Sequence, residues 1–206
     1  MHKSNKPNTM PEPENPSKSN APLRSRLASI VRGCPRWIER GLAVFGAIVA
    51  IYWLTMDLSV VISPSMQPTL MGTDPDNGDR VITEKVTRWY RSPRRWEVIT
   101  FINDSGDKLM KRVAGLPGEN IQMLPDGELL IDGQPVECPE SLDLKYLRFG
   151  NLMEGKPVSC GDGYYVLGDD LKDSDDSRFN GPVPAHRIMG RAWLIVWPMS
   201  RVGWVH

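Results

Sequence analysis

The chain has 206 residues, 40% of them hydrophobic, which allows one domain of ordinary size plus appendages. Its formal net charge is zero, but residues 1–40 carry eight Lys and Arg against three Asp and Glu, while the remainder carries 17 against 22. A basic beginning that leads into an apolar run is typical of membrane orientation and argues against a nucleic-acid-binding protein.

The basic beginning of the chain has almost nothing to bury. Residues 1–22 consist mostly of Asn, Pro, Ser, Lys and Glu, a composition that cannot offset the entropy lost on folding. We therefore expect residues 1–36 to form a disordered, basic tail.

An uncharged apolar run follows at residues 41–56. Sixteen helical residues span about 24 Å, short of the roughly 30 Å hydrocarbon core of a bilayer, but apolar residues extend the run on both sides. We predict a transmembrane anchor at 37–58. A buried core helix is the alternative. A cleavable signal peptide is disfavoured because the preceding basic segment is too long and no Ala-x-Ala site follows the run.

The charges on either side of this run predict its orientation. Arginines precede it at positions 24, 26, 32, 36 and 40, and Asp57 follows it. By the positive-inside rule, we expect residues 1–36 to be cytoplasmic and residues 59–206 to lie on the outer side of the inner (plasma) membrane. The lipid bilayer is thus an expected partner, and nucleic acid is not.

The exported part is predicted to be mainly β. Asp132-Gly133 is a strong hairpin signal, so residues 119–137 are predicted to form a meander, whereas residues 138–163 show little periodicity and are expected to form a loop or small excursion. The fold class is an all-β domain of roughly 150 residues on a single N-terminal transmembrane helix, with a barrel-like closure as one alternative. The β-prone runs lie at 79–83, 97–101, 121–124, 128–131, 164–167 and 192–196.

The cysteines and aspartates do not indicate a metal site. Cys138 and Cys160 lie in the exported part, where a disulfide is permitted, and the sequence does not decide between a disulfide and two free thiols. Cys34 lies on the cytoplasmic flank. The aspartates between 169 and 176 lack the loop glycine and terminal glutamate of an EF-hand, so we predict a polar loop and no metal.

A second basic stretch resembles a nucleic-acid-binding patch in composition. On an exported domain, contact with lipid headgroups or plain solvation is favoured instead. The stretch contains Arg88, Trp89, Arg91, Arg94, Arg95 and Trp96.

Ser65 is the candidate nucleophile. It lies between two prolines in the run Ser-Pro-Ser-Met-Gln-Pro-Thr-Leu at 63–70, which favours a rigid, non-helical loop. A serine hydroxyl needs a neighbouring base, and histidine is the usual one. The histidines at positions 2, 186 and 206 lie in the tail, in a turn and at the last residue. A lysine is the base left to consider, because Ser-Lys pairs are a known variant.

Lys111 is the candidate base. A lysine pKa of about 10.4 must fall by roughly 3 to act near pH 7, and burial in apolar surroundings can achieve this. Within a strand, Lys111 and Val113 share a face, and Arg112 is expected to point the other way, into solvent. If the shared face is interior, Lys111 is desolvated; an exposed strand lysine is the alternative.

Several motifs together resemble those of the type I signal peptidases, membrane serine proteases that cut leader peptides from exported proteins. Residues 63–70 resemble the serine box of that family, and Lys-Arg-Val-Ala-Gly-Leu-Pro-Gly-Glu at 111–119 resembles its lysine box. Residues 78–81 and 168–181 are similar to two further motifs, in the family's order. The resemblance covers about residues 60–200.

The resemblance implies roles at the reacting centre. Ser65 matches the nucleophile, Lys111 the general base, and Ser63 the side-chain donor to the oxyanion. Small pockets beside them would favour substrates with the Ala-x-Ala pattern before the cut. The positions that match pocket-lining residues are Val61, Met66 and Met110.

Behind the dyad, the resemblance implies a supporting cluster. Ser174 matches the serine that orients the lysine, and Asp176 and Arg178 match an ion pair. The chain departs from the family's usual pattern at Pro64, Asp170 and Lys172. These departures concern the surroundings of the dyad and leave the matches above intact.

The implied function is a membrane-bound serine endopeptidase that removes signal peptides from exported preproteins by a Ser-Lys dyad and needs no cofactor. Two alternatives stay open. One is a specialised relative that processes a dedicated substrate, such as a conjugative pilin precursor. The other is a non-catalytic, membrane-tethered β-domain that binds extended peptides.

Overall fold

The computed structural model describes residues 35–137, 150–170 and 174–206. The predicted tail lies almost wholly outside these residues, and so do Cys34, Cys138 and Lys172. The chain divides into two compact units, residues 1–47 and 48–206.

Helix α1 runs from Arg36 to Thr55. It begins just after Pro35, whose carbonyl accepts backbone hydrogen bonds from Ile38 and Glu39. Its 20 residues span about 30 Å, the thickness of a bilayer's hydrocarbon core. Within the described part of the chain, α1 is the one helix long and apolar enough to cross a membrane, and it has no buried residue.

The chain leaves this helix earlier than the sequence predicts. Helix α1 ends at Thr55 and strand β1 follows at Met56–Val60, whereas the predicted anchor extends to residue 58. The reason is the alternation of polar and apolar side chains around Asp57 and Ser59, which suits a strand with one solvent-exposed face. The backbone groups of β1 are then satisfied by antiparallel pairing with the next strand.

The remaining strands confirm the mainly β prediction. In chain order they are β2 (Arg80–Glu84), β3 (Val98–Ile102), β4 (Lys108–Gly115), β5 (Asn120–Met123), β6 (Leu129–Ile131), β7 (Gln134–Pro135), β8 (Val158–Ser159), β9 (Gly163–Leu167), β10 (Val183–Pro184), β11 (Ile188–Trp197) and β12 (Gly203–Trp204). A short helix, α2, occupies Ser177–Asn180.

The main sheet has eight strands in the open order β1-β2-β11-β3-β4-β9-β10, and β12 also pairs with β11. Strand β4 is therefore central, with β3 on one side and β9 on the other. Strand β1 lies at an edge of this sheet, because β2 is its one partner among the described strands. Strand β1 precedes Ser65 in the chain and β2 follows it, so the segment that carries Ser65 begins and ends at this sheet.

A second, four-stranded sheet has the order β7-β6-β5-β8. It contains the predicted meander, in which Asp132 and Gly133 both adopt positive φ angles, 48° and 79°. Such angles at two successive residues are what a tight hairpin turn demands, and Asp-Gly supplies them at low cost. Strand β8 lies inside the region predicted to be a loop or small excursion.

Buried side chains join these elements. One cluster contains Cys160, whose free thiol packs among side chains from both sheets, including Ile121 and Tyr165. The question of a disulfide to Cys138 lies outside the described residues. A second cluster supports the Ser65 segment from below and consists of Val61, Met66, Leu70, Val81, Val98, Ala192 and Ile195.

Candidate active site

Ser65 lies in a single 3₁₀ turn, Pro64–Met66, that follows β1. Pro64 occupies the first position of the turn, where its fixed φ fits and its missing N–H is not needed. The Met66 side chain, 1% exposed, anchors the turn in the cluster below it. The backbone N–H of Leu70 donates to the Met66 carbonyl at 2.8 Å. Ser65, the candidate nucleophile, is thus presented on a short, fixed turn.

A buried carboxylate holds the rest of this loop. Asp79 accepts a hydrogen bond from the Met71 N–H at 2.8 Å and pairs with the Arg201 guanidinium, whose Nε lies 2.9 Å from Asp79 Oδ1. The same guanidinium donates to the Thr69 carbonyl at 3.0 Å. The backbone carbonyl of Asp79 accepts from the Val61 N–H at 2.9 Å. Both ends of the Ser65 loop are therefore tied to Asp79.

Lys111 reaches Ser65 from β4. Its side-chain nitrogen lies 2.6 Å from Ser65 Oγ, and the residue is 2% exposed. Burial lowers the pKa of the Lys111 amine from 10.5 to about 8, because the ammonium loses its water. The carboxylates of Asp176 and Asp175 act in the opposite direction. The contact is therefore that of a desolvated amine against a hydroxyl.

Ser63 and the loop after β9 complete the surroundings of Ser65. Ser63 Oγ lies 3.1 Å from Ser65 Oγ, within hydrogen-bond distance. The backbone N–H of Asp170 donates to the Ser65 carbonyl at 3.1 Å. The serine turn is thus fixed to the segment that leads to the supporting cluster.

The supporting cluster lies at the start of α2. Asp176 caps this helix and accepts from the Arg178 N–H at 3.1 Å, from Arg178 Nε at 2.8 Å and from Ser174 Oγ at 2.8 Å. Its Oδ2 also accepts from the Gly168 N–H at 2.9 Å. The hydrogen bond of the Ser174 hydroxyl goes to Asp176, so direct orientation of Lys111 by Ser174 stays a prediction.

Arg112 corrects one expectation from the sequence. It does not face solvent; its side chain is 0% exposed, and Nε and one terminal nitrogen lie 2.8 and 2.6 Å from the two Asp169 oxygens. The guanidinium also donates to the Trp96 carbonyl at 2.7 Å and to Thr69 Oγ1 at 3.1 Å. Both faces of the sheet are covered here, and every residue from 111 to 115 is buried, so alternation does not separate inside from outside.

Gly168 is required by the close approach of three segments. A β-carbon at this position would overlap the Ser65 carbonyl and the Ser174 hydroxyl. We expect Gly168→Ala to lower kcat by about 10²-fold, because the Ser65 carbonyl is backbone and can move only with the nucleophile. Steady-state kinetics with a melting curve would check this. Gly46→Ala, where an added β-carbon meets nothing within 4 Å, is the matched control. Unchanged kcat in Gly168→Ala would contradict the tight fit.

A groove of about 520 Å³ opens beside Ser65. It runs between the β1 segment and the beginning of β4. Val61 and Met66 are buried and Met110 is half-buried, and together they give the groove an apolar floor. The structure thus brings five of the predicted site residues into one groove: Val61, Ser63, Ser65, Met66 and Met110.

Two contributors to the site have no counterpart among the predicted residues. Asp169 neutralises Arg112 next to Lys111, and Arg201 braces the serine loop through Asp79. Asp169 is missed because the sequence predicts Arg112 in solvent, whereas a buried arginine requires a carboxylate partner. Arg201 is missed because its partner lies 122 residues away.

A serine hydroxyl beside a buried lysine amine, in an apolar groove at a sheet edge, defines a serine hydrolase with a lysine base. The sequence comparisons agree with this class. Residues 34–197 match the model of the family described as signal peptidase, peptidase S26. The chain belongs to this family.

Two relatives support the same family by sequence. A probable signal peptidase I-2 from Synechocystis is 32% identical over 178 residues, which cover 81% of this chain and 76% of that protein. Signal peptidase I from Leptolyngbya laminosa is 33% identical over 196 residues, covering 90% and 85%. A crystal structure of a signal peptidase I from Enterococcus faecalis matches 49% of this chain and 97% of its own at 28% identity, with a TM-score of 0.40. Family membership favours neither the pilin-dedicated nor the non-catalytic alternative.

Proposed function

We propose that this chain is a membrane-anchored serine endopeptidase that removes N-terminal signal peptides from exported preproteins. The observation that carries the proposal is the 2.6 Å contact between Ser65 Oγ and the buried Lys111 amine. Membership of the signal peptidase family supplies the substrate class. No cofactor enters the chemistry, since a neutral amine and a hydroxyl suffice for acyl transfer.

Acylation begins with proton transfer. In the neutral form of Lys111, the Ser65 O–H donates to the amine lone pair, and the serine oxygen attacks the scissile carbonyl carbon. The resulting tetrahedral intermediate collapses as the C–N bond breaks, and Lys111 returns the proton to the leaving amine. The products of this step are an ester between Ser65 and the signal peptide, and the free mature protein.

Deacylation uses the same base. Lys111 removes a proton from a water molecule that attacks the ester, and the proton passes to Ser65 Oγ as that oxygen leaves. In both steps, the Ser63 hydroxyl and the Ser65 N–H are proposed as donors to the oxyanion. The 3.1 Å separation of the two serine oxygens supports this role, because it places a donor beside the attacked carbonyl.

Substrate binding follows from the edge position of β1. An extended peptide can pair with the free edge of such a strand and place alternate side chains in the groove. The floor formed by Val61, Met66 and Met110 then admits small residues immediately before the cut and two positions earlier. This geometry supports the Ala-x-Ala preference.

The anchor determines where the enzyme works. Ten residues separate Thr55 from Ser65, a reach of at most about 35 Å. The nucleophile therefore operates close to the membrane surface at which α1 ends. The arginines before α1 favour a cytoplasmic N-terminus and a catalytic domain on the outer side.

Cleavage of a preprotein bearing an Ala-x-Ala leader, by the full chain in detergent or lipid, tests the proposal. We expect wild type and Ser105→Ala, which changes an exposed serine outside the lining of the groove, to cut after the second alanine. Ser65→Ala should not cut. Cutting by Ser65→Ala, or loss of cleavage in Ser105→Ala as complete as in Ser65→Ala, would refute the assignment.

The pKa of Lys111 predicts how activity depends on pH. With a pKa of about 8, roughly one tenth of the amines are neutral at pH 7. We expect kcat/KM to rise about tenfold per pH unit from pH 5.5 to 7.5 and to level off above pH 8.5. A pH profile with a fixed preprotein substrate measures this. A flat profile from pH 5 to 9 would contradict the lysine-base assignment.

A further inference from the structure

The segment between β2 and β3 has an unusual composition. Residues 85–95, which we name the basic-aromatic loop, contain five Lys and Arg and no Asp or Glu. The loop makes one 3₁₀ turn at Thr87–Trp89. The groove and the dyad do not use it, so its composition is not explained by the chemistry of the site.

Part of this positive charge fixes the loop in place. Arg91 forms two hydrogen bonds with Glu97, of 2.9 and 2.7 Å, and Arg95 pairs with Glu119 at 2.6 Å. The backbone N–H of Thr87 donates to Glu84 at 2.9 Å. The loop is thus a braced projection from the domain.

The outward side of the loop combines aromatic rings with unpaired cations. Trp89 and Tyr90 are adjacent and 63% and 71% exposed. Arg88 and Arg94 are also exposed, and neither forms an ion pair with a carboxylate among the described residues. The Arg88 guanidinium donates to the carbonyls of Ile188 and Met189 at 3.5 and 3.3 Å and keeps its charge unneutralised. Two neighbouring exposed aromatic residues are costly in water, and next to arginines without a carboxylate partner they match the polar and apolar layers of a membrane interface.

The fold places this loop beside the end of α1. The Lys85 N–H donates to the carbonyl of Thr55, the last helical residue, at 2.7 Å. Trp89 follows four residues later, so its backbone lies within about 14 Å of that point. If α1 spans the bilayer, Thr55 lies at the boundary between hydrocarbon and headgroups, and that headgroup layer is roughly 5–7 Å thick.

We propose that the basic-aromatic loop is a second membrane contact: Trp89 and Tyr90 insert at the interface, and Arg88 and Arg94 bind the phosphates of anionic lipid headgroups. The inference rests on the proposed membrane anchoring by α1. The rigid ion pairs of Arg91 and Arg95 then transmit the contact to β3 and to the segment after β4. The catalytic domain then has two points of attachment to the bilayer, the helix and the loop.

Site-directed spin labelling of the full chain in liposomes tests this. Cys34 and Cys138 are replaced by serine, buried Cys160 is retained, and a single label is placed at Trp89→Cys. We expect the label to be more accessible to oxygen, which partitions into lipid, than to a water-soluble nickel complex. Asp126→Cys, in the exposed turn between β5 and β6, is the matched control and should show the reverse.

A third label at Trp53→Cys, within α1, separates the two levels of the proposal. A lipid-protected label at 53 together with a nickel-accessible label at 89 would overturn the loop contact while the anchor stands, and would leave the loop free for a peptide or protein ligand. Nickel access at both positions would overturn the anchoring and the loop contact together. Cleavage of the preprotein by wild type remains an independent measurement.

The binding of Arg88 and Arg94 to anionic lipid headgroups has a separate test. In bilayers containing phosphatidylglycerol, we expect the label at 89 to lie deeper than in phosphatidylcholine alone. The double change Arg88→Gln, Arg94→Gln should remove this difference, and raising the salt concentration should reduce it. Lys156→Gln, which removes an exposed cation elsewhere, should leave it unchanged. Equal depth in both lipids for the unmodified loop would overturn the role of the arginines.

Discussion

Lys111→Met is expected to abolish cleavage and at the same time to stabilise the folded protein. Activity should fall by at least about 10⁴-fold, because the dyad acts as a unit and Ser65 loses its base. Methionine has nearly the same length and no charge to desolvate. Its thioether suits the buried site that Lys111 occupies at 2% exposure.

The gain in stability follows from the pKa of the amine. The pKa falls from 10.5 to about 8 on folding, so between these values the unfolded chain binds more protons and stability rises with pH. Below pH 8 both states are protonated, and the folded state carries the full cost of a buried ammonium. We expect Lys111→Met to raise the free energy of unfolding at pH 7 by on the order of 2 kcal/mol.

Denaturant unfolding at pH 7 and pH 10 measures this gain. At pH 10 the wild-type amine is already neutral in the folded state, so the advantage of methionine should shrink. Lys156→Met, which changes an exposed lysine, controls for general effects of the substitution and should keep both activity and stability. A methionine variant that is less stable at pH 7, or equally favoured at both pH values, would contradict the desolvation argument.

Asp176→Asn is expected to have the second large effect, on stability and activity together. The carboxylate caps α2, pairs with buried Arg178 and accepts from Ser174 and from the Gly168 N–H. An amide in its place leaves the guanidinium buried opposite a neutral group. Removing one member of a buried ion pair typically costs about 3–5 kcal/mol, so Tm should fall by several degrees or more.

The double change Asp176→Asn, Arg178→Met separates charge from packing. Because replacing both members of a buried pair costs less than breaking it, we expect the double variant to be more stable than Asp176→Asn alone. Glu154→Gln is a close control. Glu154 and Lys156 form a 2.6 Å ion pair with the same separation in sequence as Asp176 and Arg178, but both side chains are exposed to solvent. Its Tm should not change. Thermal melts of the three variants measure this. A lower Tm for the double variant than for Asp176→Asn would contradict the explanation by an unpaired buried charge.

The sequence predicts most strongly those features that local patterns encode. The Asp-Gly turn of the second sheet is found where it is predicted, and the fold is mainly β. Ser65 and Lys111, 46 residues apart, could be selected from the sequence because a motif match does not require knowledge of the fold. The structure places their side chains within hydrogen-bond distance.

Features that depend on packing could not be predicted in this way. Alternation predicts Arg112 in solvent because it assumes that one face of the strand is exposed, and β4 has no exposed face at that point. The end of α1 at Thr55 also depends on packing, because the backbone groups of β1 are satisfied by pairing with β2. The brace between Asp79 and Arg201 is formed by two ordinary residues at opposite ends of the domain.

The ion pair between Asp79 and Arg201 has a consequence for the order in which the domain folds. Arg201 holds the serine loop from 122 residues away, and the carbonyl of His206 accepts from Arg112, 94 residues away, next to the base. Contacts of such long sequence separation form late in folding, after local turns and hairpins. During synthesis, the segments that carry Ser65 and Lys111 are therefore made long before the residues that lock them together. We therefore expect Ser65 and Lys111 to reach their final arrangement only after residues 201–206 have joined the fold.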